Sequence, residues 1–227
     1  MLKVAVLLFL VFFISGPVFS QEESFKKIDY KKIKKEIKKE DSDFYYQKLM
    51  EKYQKGDSMS LAEGRHLYYG FIYQEAYTPY SLSKYRDSIT VIFKTKMLFR
   101  EDYRKIDRFS DSILRRNPFN LRVLSYKLFA NDNLEDYKTY NKTMHRARTV
   151  IDAILSTGNG LKKETAIFVI NPAHEYDILG VLGFEFGDHQ SLIEHYDYLE
   201  LAKNDKNIKG LYFDVSASLN AIERMLK

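Results

Sequence analysis

The chain has 227 residues, of which 45% are hydrophobic, 30% charged and 15% aromatic, with 10 Gly and only 4 Pro. This composition is typical of a folded globular protein and excludes collagen-like, proline-rich and mostly disordered chains. Because the chain contains no Cys, disulfides, thiolate metal sites and cysteine nucleophiles are excluded. The formal net charge of +5 arises in one lysine-rich segment, so basicity is a local property.

Residues 1–20 have the pattern of a secretory signal peptide. A positively charged start precedes an unbroken apolar run at 4–14, and Pro17 breaks the helix shortly before the small residue Ser20. The apolar run is too short for a membrane-spanning helix. We therefore predict export to the periplasm or the exterior, with cleavage between Ser20 and Gln21. No Cys follows the cut, which excludes a Cys-anchored lipoprotein.

Residues 21–42 are predicted to form a basic amphipathic helix. Residues 25–40 contain eight Lys against three acidic residues, a net charge of +5. Four apolar residues fall on one helical stripe with lysines around the rest: Tyr30, Ile33, Ile37 and Phe44. The pattern fits a first helix with a solvated lysine face, and it also fits weak contact with an anionic membrane. Nucleic acid is not expected as a partner, because no dedicated motif accompanies the charge.

Residues 43–157 are predicted to form antiparallel helical hairpins. Ser60 and Glu63 have the spacing of a capping box at a helix start. Apolar residues recur at steps of three and four in further helices at 103–114, 121–130 and 134–155. The motif Glu-Asp-Tyr-basic occurs at 101–104 and at 135–138, an offset of 34 residues, the length of a tetratricopeptide repeat. We predict TPR-like hairpins, with a chance match of four residues as the alternative.

Residues 161–227 are predicted to form a small β-α-β-β-α unit. A β-branched run predicts the first strand, apolar residues at helical spacing predict a helix, and alternating patterns predict two more strands before a terminal helix. In chain order these elements are expected at 166–170, 174–183, 191–201, 211–215 and 218–226. The predicted fold class is α+β, with N-terminal TPR-like antiparallel helical hairpins followed by this C-terminal unit.

Tyrosines are concentrated in the first helical region, where eight of the 18 lie between residues 44 and 80. Tyrosine offers a large amphipathic contact area with little conformational entropy to lose, so it is enriched at interfaces. Four of these tyrosines follow one another at steps of four, four and three, and two polar residues precede them on the same side. We predict that these six residues contact a partner: Arg65, His66, Tyr69, Tyr73, Tyr77 and Tyr80. The alternative is that the rings pack between adjacent helices.

No catalytic motif is present. The chain lacks a His-Glu-x-x-His pair, a P-loop, a Gly-x-Ser-x-Gly elbow and a dinucleotide fingerprint. His189 and His195, with Asp188, Glu194 and Asp197 close in sequence, have the ligand types of a metal site on a loop. Surface histidines in a polar turn are the alternative interpretation. No catalytic residue, metal ligand or cofactor is assigned.

Several blocks of the sequence resemble an exported Bacteroidetes family known as domain of unknown function 4919. The blocks are at 44–50, 65–71, 77–80, 174–179, 196–199 and 210–215. Tyr68-Tyr69-Gly70 and Tyr212-Phe213-Asp214-Val215 are the most specific of them, and the resemblance covers nearly the whole mature chain. It implies an exported envelope or periplasmic protein, and it supplies neither an activity nor site residues.

These observations predict an exported, non-catalytic module of the bacterial envelope that binds a protein or peptide. The alternative is a periplasmic metal-dependent hydrolase with a His/Asp/Glu site around His189 and His195.

Overall fold

The computed structural model describes residues 25–80 and 85–225 of the chain. The predicted signal peptide at residues 1–20 lies outside the described residues. The first part of the described chain is helical, and the last part carries a four-stranded mixed sheet with two helices. Within the described ranges, no helix is both long enough and apolar enough to cross a membrane.

The lysine-rich segment forms a short helix, α1 (Tyr30–Glu36). The Asp29 side chain caps this helix by accepting a hydrogen bond from the Lys32 amide at 2.9 Å. Ile33 and Ile37 are buried in the core, whereas the lysines of the segment are exposed. The apolar side of α1 therefore packs inside the protein, and the helix is much shorter than the sequence predicts.

Helices α2 (Tyr46–Lys55) and α3 (Leu61–Gly70) form the next hairpin. Helix α2 ends at Gly56, whose φ of +77° is the left-handed conformation that commonly terminates helices. The Ser60 hydroxyl accepts a hydrogen bond from the Glu63 amide at 3.3 Å, and the Glu63 carboxylate accepts one from the Ser60 amide at 2.7 Å. The predicted capping box is confirmed.

Four further helices pack side by side. They are α4 (Tyr85–Phe93), α5 (Arg100–Leu114), α6 (Leu121–Leu134) and α7 (Tyr137–Leu155). Each of them packs against the next along the chain, and α7 packs in turn against α3. Because α3 also contacts α1 and α2, it is the central helix of this part. Helix α4 has no counterpart in the elements that the sequence predicts.

The two copies of the repeated motif occupy different places in their helices. Asp102 lies inside the first turn of α5, where it accepts a hydrogen bond from the Phe99 amide at 3.0 Å. Asp136 precedes α7 and caps it by accepting a hydrogen bond from the Thr139 amide at 3.1 Å. A structural repeat would place equivalent residues at the same helical position. The motif therefore marks two helix starts without defining a regular repeat.

The C-terminal part forms a sheet with strand order β1-β4-β3-β2. The first and last strands of the chain pair in parallel, and the other two pairings are antiparallel. The elements in chain order are β1 (Ile167–Phe168), α8 (Ala173–Val181), β2 (Phe186–Ile193), β3 (Tyr196–Leu201), β4 (Gly210–Asp214) and α9 (Ser216–Met225). The fold is thus a mixed α/β fold, which agrees with the predicted combination of helices and a small sheet.

The segment predicted as one strand at 191–201 contains parts of two strands. Strands β2 and β3 form a hairpin in which Ile193 lies opposite Tyr196. Glu194, in the turn between them, has a φ of +62°, the backbone conformation that tight two-residue turns require. The C-terminal unit is therefore β-α-β-β-β-α. Alternation continues on both sides of this turn, so periodicity alone does not reveal it.

One hydrophobic core joins the helices to the sheet. The helices contribute buried side chains that include Leu67, Tyr69, Val150 and Ile154, and the sheet contributes Leu199, Leu211 and Phe213. Burial of apolar surface is the main favourable term in folding, so the two parts stabilise each other through this shared core.

We predict that Ser60→Ala lowers the free energy of unfolding by about 1 kcal/mol, because it removes the hydroxyl that satisfies the first turn of α3. Urea denaturation followed by circular dichroism measures this change. Ser58→Ala, at an exposed residue just before the helix, is the control and is expected to be neutral. Equal stability of the two variants would contradict the role of the cap.

Candidate functional site

Tyr69, one of the six predicted partner contacts, is fully buried. Its hydroxyl donates a hydrogen bond to the backbone carbonyl of Phe168 at 2.9 Å, and its ring packs edge-on against Tyr68. Burial raises the pKa of Tyr69, an effect that the nearby Arg65 opposes. Tyr69 is therefore a core residue that a partner cannot contact.

The other three tyrosines of this series do not share one helical face, because α3 stops at Gly70 and a 3₁₀ turn follows at Phe71–Tyr73. Tyr73 is half-buried and donates a hydrogen bond to the Tyr30 carbonyl at 3.1 Å. Tyr77 donates one to the Ile170 carbonyl at 2.7 Å. Tyr80 is the exposed member, with 47% of its surface accessible.

Arg65 uses its polar groups within the fold. Its guanidinium donates hydrogen bonds to the Ser156 hydroxyl and, at 2.6 and 3.2 Å, to the backbone carbonyls of Lys26 and Lys27. These bonds fasten the N-terminal segment to α3 and to the end of α7.

His66 likewise makes internal contacts. Its ring stacks on Phe44 with a centroid separation of 3.8 Å. Its two nitrogens lie 2.7 Å from the Ala62 carbonyl and 2.7 Å from the Glu36 carboxylate. Arg65 and His66 thus hold the first elements against α3, a role that the sequence does not predict for them.

Three segments surround an open groove of about 490 Å³ beside Tyr73. One wall is α2, the second is the chain that follows α3, and the third is the turn between α5 and α6. Its lining residues are Tyr46, Met50, Gln54, Phe71, Tyr73, Gln74, Glu75, Ala76, Arg115, Arg116 and Pro118. Sites for small ligands span roughly 300–1,000 Å³, so the groove has room for several side chains of a bound peptide.

The groove combines aromatic walls with unsatisfied polar groups. Arg115 and Arg116 are exposed, and within the described chain neither side chain has an ion-pair or hydrogen-bond partner. The Tyr46 hydroxyl is buried without a hydrogen-bond partner among the described residues. Desolvation raises the pKa of Tyr46 well above its ordinary value, with a smaller contribution from Tyr53. Of the six predicted contacts, only Tyr73 lines this groove.

A second set of polar groups lies at the start of α8. The Ile170 amide donates a hydrogen bond to the Tyr68 hydroxyl at 3.2 Å, and that hydroxyl lies 2.7 Å from Nδ1 of His174. Burial lowers the pKa of His174 to about 4, an effect that the Phe119 backbone opposes. His174 is therefore neutral at pH 7. Because the Tyr68 oxygen already accepts from the Ile170 amide, we assign the Tyr68 hydroxyl as the donor and Nδ1 of His174 as the acceptor.

Glu175, the next residue of α8, is fully buried. Desolvation raises its pKa to about 9, and the nearby Asp197 carboxyl group acts in the same direction. Desolvation also raises the pKa of Asp197, whose Oδ2 accepts a hydrogen bond from Gln190 at 2.9 Å. Gln190 in turn accepts one from Tyr176. Glu175 therefore holds a proton at neutral pH.

The residues predicted for the alternative metal site do not form a ligand set. His189 is exposed on β2, and His195 lies beside Asp214, at 3.6 Å between Nε2 and Oδ2, and against the Tyr196 ring. Across residues 25–80 and 85–225, no group of three or more His, Asp or Glu side chains is placed to hold a metal ion. The structure thus gives no support to a metal-dependent hydrolase at His189 and His195.

The groove residues that the sequence analysis misses include Arg115, Arg116, Tyr46 and Gln54. The available signal is the pair of arginines at the end of a predicted helix, directly before Asn117-Pro118. The arginines line the groove only because distant segments of the chain lie beside the α5–α6 turn. A local sequence pattern does not predict that arrangement.

Fold and site together define a mixed α/β protein with an open, partly basic groove and a buried carboxyl pair. The chain belongs to the family described as a domain of unknown function, DUF4919, whose model matches residues 31–224. No curated protein and no solved structure matches the chain. The family match confirms the predicted membership in domain of unknown function 4919.

We predict that Glu175→Gln makes the protein more stable than the parent above neutral pH. The folded chain keeps a proton on Glu175 that the unfolded chain releases, so the contribution of Glu175 is complete below pH 4.5 and is lost as the pH rises to about 9. Glutamine has nearly the same shape as the protonated carboxyl group but does not titrate. At about pH 8 we expect a gain of at least about 1 kcal/mol in the free energy of unfolding.

Urea denaturation at a series of pH values measures this difference. Glu200→Gln, at an exposed residue of β3, is the control and is expected to follow the parent. A variant at Glu175 whose stability decreases with pH as steeply as that of the parent would contradict a buried, protonated carboxyl group.

Proposed function

We propose that this chain is an exported protein of the bacterial envelope that binds a peptide segment of a partner in its groove and catalyses no reaction. The observation that carries the proposal is the groove of about 490 Å³, which three separate segments of the chain converge to form. Grooves of this size that mix aromatic walls with a few polar groups are typical of binding sites.

The lining favours a peptide over a small apolar ligand. Phe71, Tyr73 and Met50 offer apolar and aromatic surface, while Gln54 and Gln74 offer amide groups that can pair with a peptide backbone. Aromatic residues contribute much of the binding energy at protein interfaces. The groove is open to solvent, which suits a segment of a larger chain better than an enclosed small molecule.

The buried carboxyl pair gives little support to a hydrolase. Glu175 is inaccessible, and only 8% of the Asp197 surface is accessible. A general acid or base must lie within hydrogen-bond reach of its substrate. The pair is better suited to fixing α8 against β2 and β3 than to proton transfer with a ligand.

Four expectations from the sequence complete the proposal. The pattern at residues 1–20 supports export, and the Bacteroidetes resemblance supports an envelope location. The side-by-side packing of α5, α6 and α7 supports a TPR-like mode of presenting a binding surface. The exposed lysines of α1 support weak electrostatic contact with an anionic membrane, although its buried isoleucines leave no apolar face to insert.

We predict that the mature protein enriches linear peptides from a random display library, and that Ala76→Trp abolishes the enrichment. Ala76 is exposed and lines the groove, so an indole at this position fills the space without disturbing the core. Ala62→Trp, at an exposed residue of α3 outside the groove, is the matched control and should retain the enriched peptides.

Circular dichroism spectra establish that both variants are folded. Failure to enrich any peptide would overturn the proposed function. Enrichment that survives in Ala76→Trp would place the binding surface elsewhere.

We further predict that the protein isolated from the envelope fraction of a bacterial host begins at Gln21. Intact mass spectrometry and N-terminal sequencing test this prediction. A full-length chain that retains residues 1–20 in the cytosolic fraction would contradict export.

A further inference from the structure

We propose that the segment bound in the groove is acidic, carrying more than one Asp or Glu side chain. This inference rests on the proposed function and adds the chemistry of the partner. It starts from Arg115 and Arg116, two neighbouring cations at the edge of the groove without a counter-ion in the described chain.

The acidic side chains of α5, the helix that ends just before Arg115 and Arg116, are already paired with other cations. On α5, Glu101 lies 3.4 Å from Arg104, and Asp107 and Asp111 lie 2.6 and 2.9 Å from Lys127 on α6. The acidic groups of the helix that leads into the turn are thus committed to other cations. The two guanidinium groups at its end remain available for carboxylates supplied by another molecule.

The charge around Tyr73 has the same sign. The Lys34 ammonium lies 5.3 Å from the centre of the Tyr73 ring. Burial raises the pKa of Tyr73, and the nearby Arg224 opposes this increase. Among the residues that line the groove, Arg115 and Arg116 are cations and Glu75 is an anion, so the lining carries a net positive charge. An anionic segment is therefore complementary to the groove, and a basic one is not.

Arginine also suits a carboxylate better than lysine does, because its planar guanidinium can donate two parallel hydrogen bonds. Exposed ion pairs contribute little individually and are screened by salt. We therefore expect the acidic residues to select the bound sequence and speed its association, while Phe71 and Tyr73 supply apolar contact. Binding should weaken as the salt concentration rises.

The experiment selects from a random linear peptide library with the mature protein. Four proteins are compared: the parent, Arg115→Ala/Arg116→Ala, Arg115→Glu/Arg116→Glu, and the control Arg104→Ala/Arg148→Ala. The control removes the same net charge from exposed positions outside the groove. Because Arg115 and Arg116 make no side-chain bonds within the described fold, we expect their variants to fold normally.

The expected result is enrichment of Asp and Glu by the parent and the control. A synthetic peptide of the most enriched sequence should bind Arg115→Ala/Arg116→Ala about five- to tenfold more weakly at low salt, and the difference should shrink at high salt. A peptide in which Asn and Gln replace the Asp and Glu residues should bind the parent protein weakly. Its affinity should equal that of the acidic peptide for Arg115→Ala/Arg116→Ala. The charge-reversed protein should enrich Lys and Arg instead.

Two results would overturn this inference while leaving the proposed function in place. One is a set of enriched peptides that are neutral or basic and that Ala76→Trp still blocks. The other is acidic peptides that bind equally well to the parent and to Arg115→Ala/Arg116→Ala. No enrichment at all would overturn the inference and the proposed function together. A third result is binding of phosphatidylserine vesicles that depends on the two arginines, with no peptide enriched. It would assign these residues to membrane contact and would overturn both the inference and the proposed function.

Discussion

The hydroxyl groups of Tyr68 and Tyr69 are the constraint on which the rest of the structure depends. Strand β1 has only two residues, and its backbone is buried where the helices meet the sheet. Tyr69 donates to the Phe168 carbonyl, and Tyr68 accepts from the Ile170 amide. Buried backbone groups must find partners, and β1 is an edge strand, so these side chains take the place of bonds that a further strand would have made. Helix α3 and the sheet are thereby fixed to each other.

This constraint also explains why the tyrosine-rich segment divides into an internal and an external part. Within helix α3, Tyr68 and Tyr69 face the sheet and are buried in the core. After Gly70 the helix gives way to a 3₁₀ turn, and the next residues run past α2 and the α5–α6 turn. The groove exists because the chain leaves the helix at this point, and Tyr73 becomes part of its wall.

Local signals predict much of the fold. The Ser60–Glu63 capping box and the strand that ends at Asp214 depend on residues close in sequence, and both are observed. The groove and the Glu175–Asp197 pair depend on segments far apart in sequence, so neither has a local signature. The spacing of the tyrosines is misleading for the same reason. Periodicity describes one helix face, but it does not show where the helix stops or which neighbour covers that face.

The adjacency of His174 and Glu175 on α8 has a consequence for the exchange of protons with solvent when the chain folds. Folding lowers the pKa of His174 from 6.5 to about 4 and raises that of Glu175 from 4.5 to about 9. Between pH 4.5 and 6.5 the proton released at His174 balances the one taken up at Glu175. At higher pH only the uptake remains. The contribution of these two residues to the heat of folding should therefore not depend on the ionisation enthalpy of the buffer in weakly acidic solution. Near neutrality that contribution should depend on the buffer.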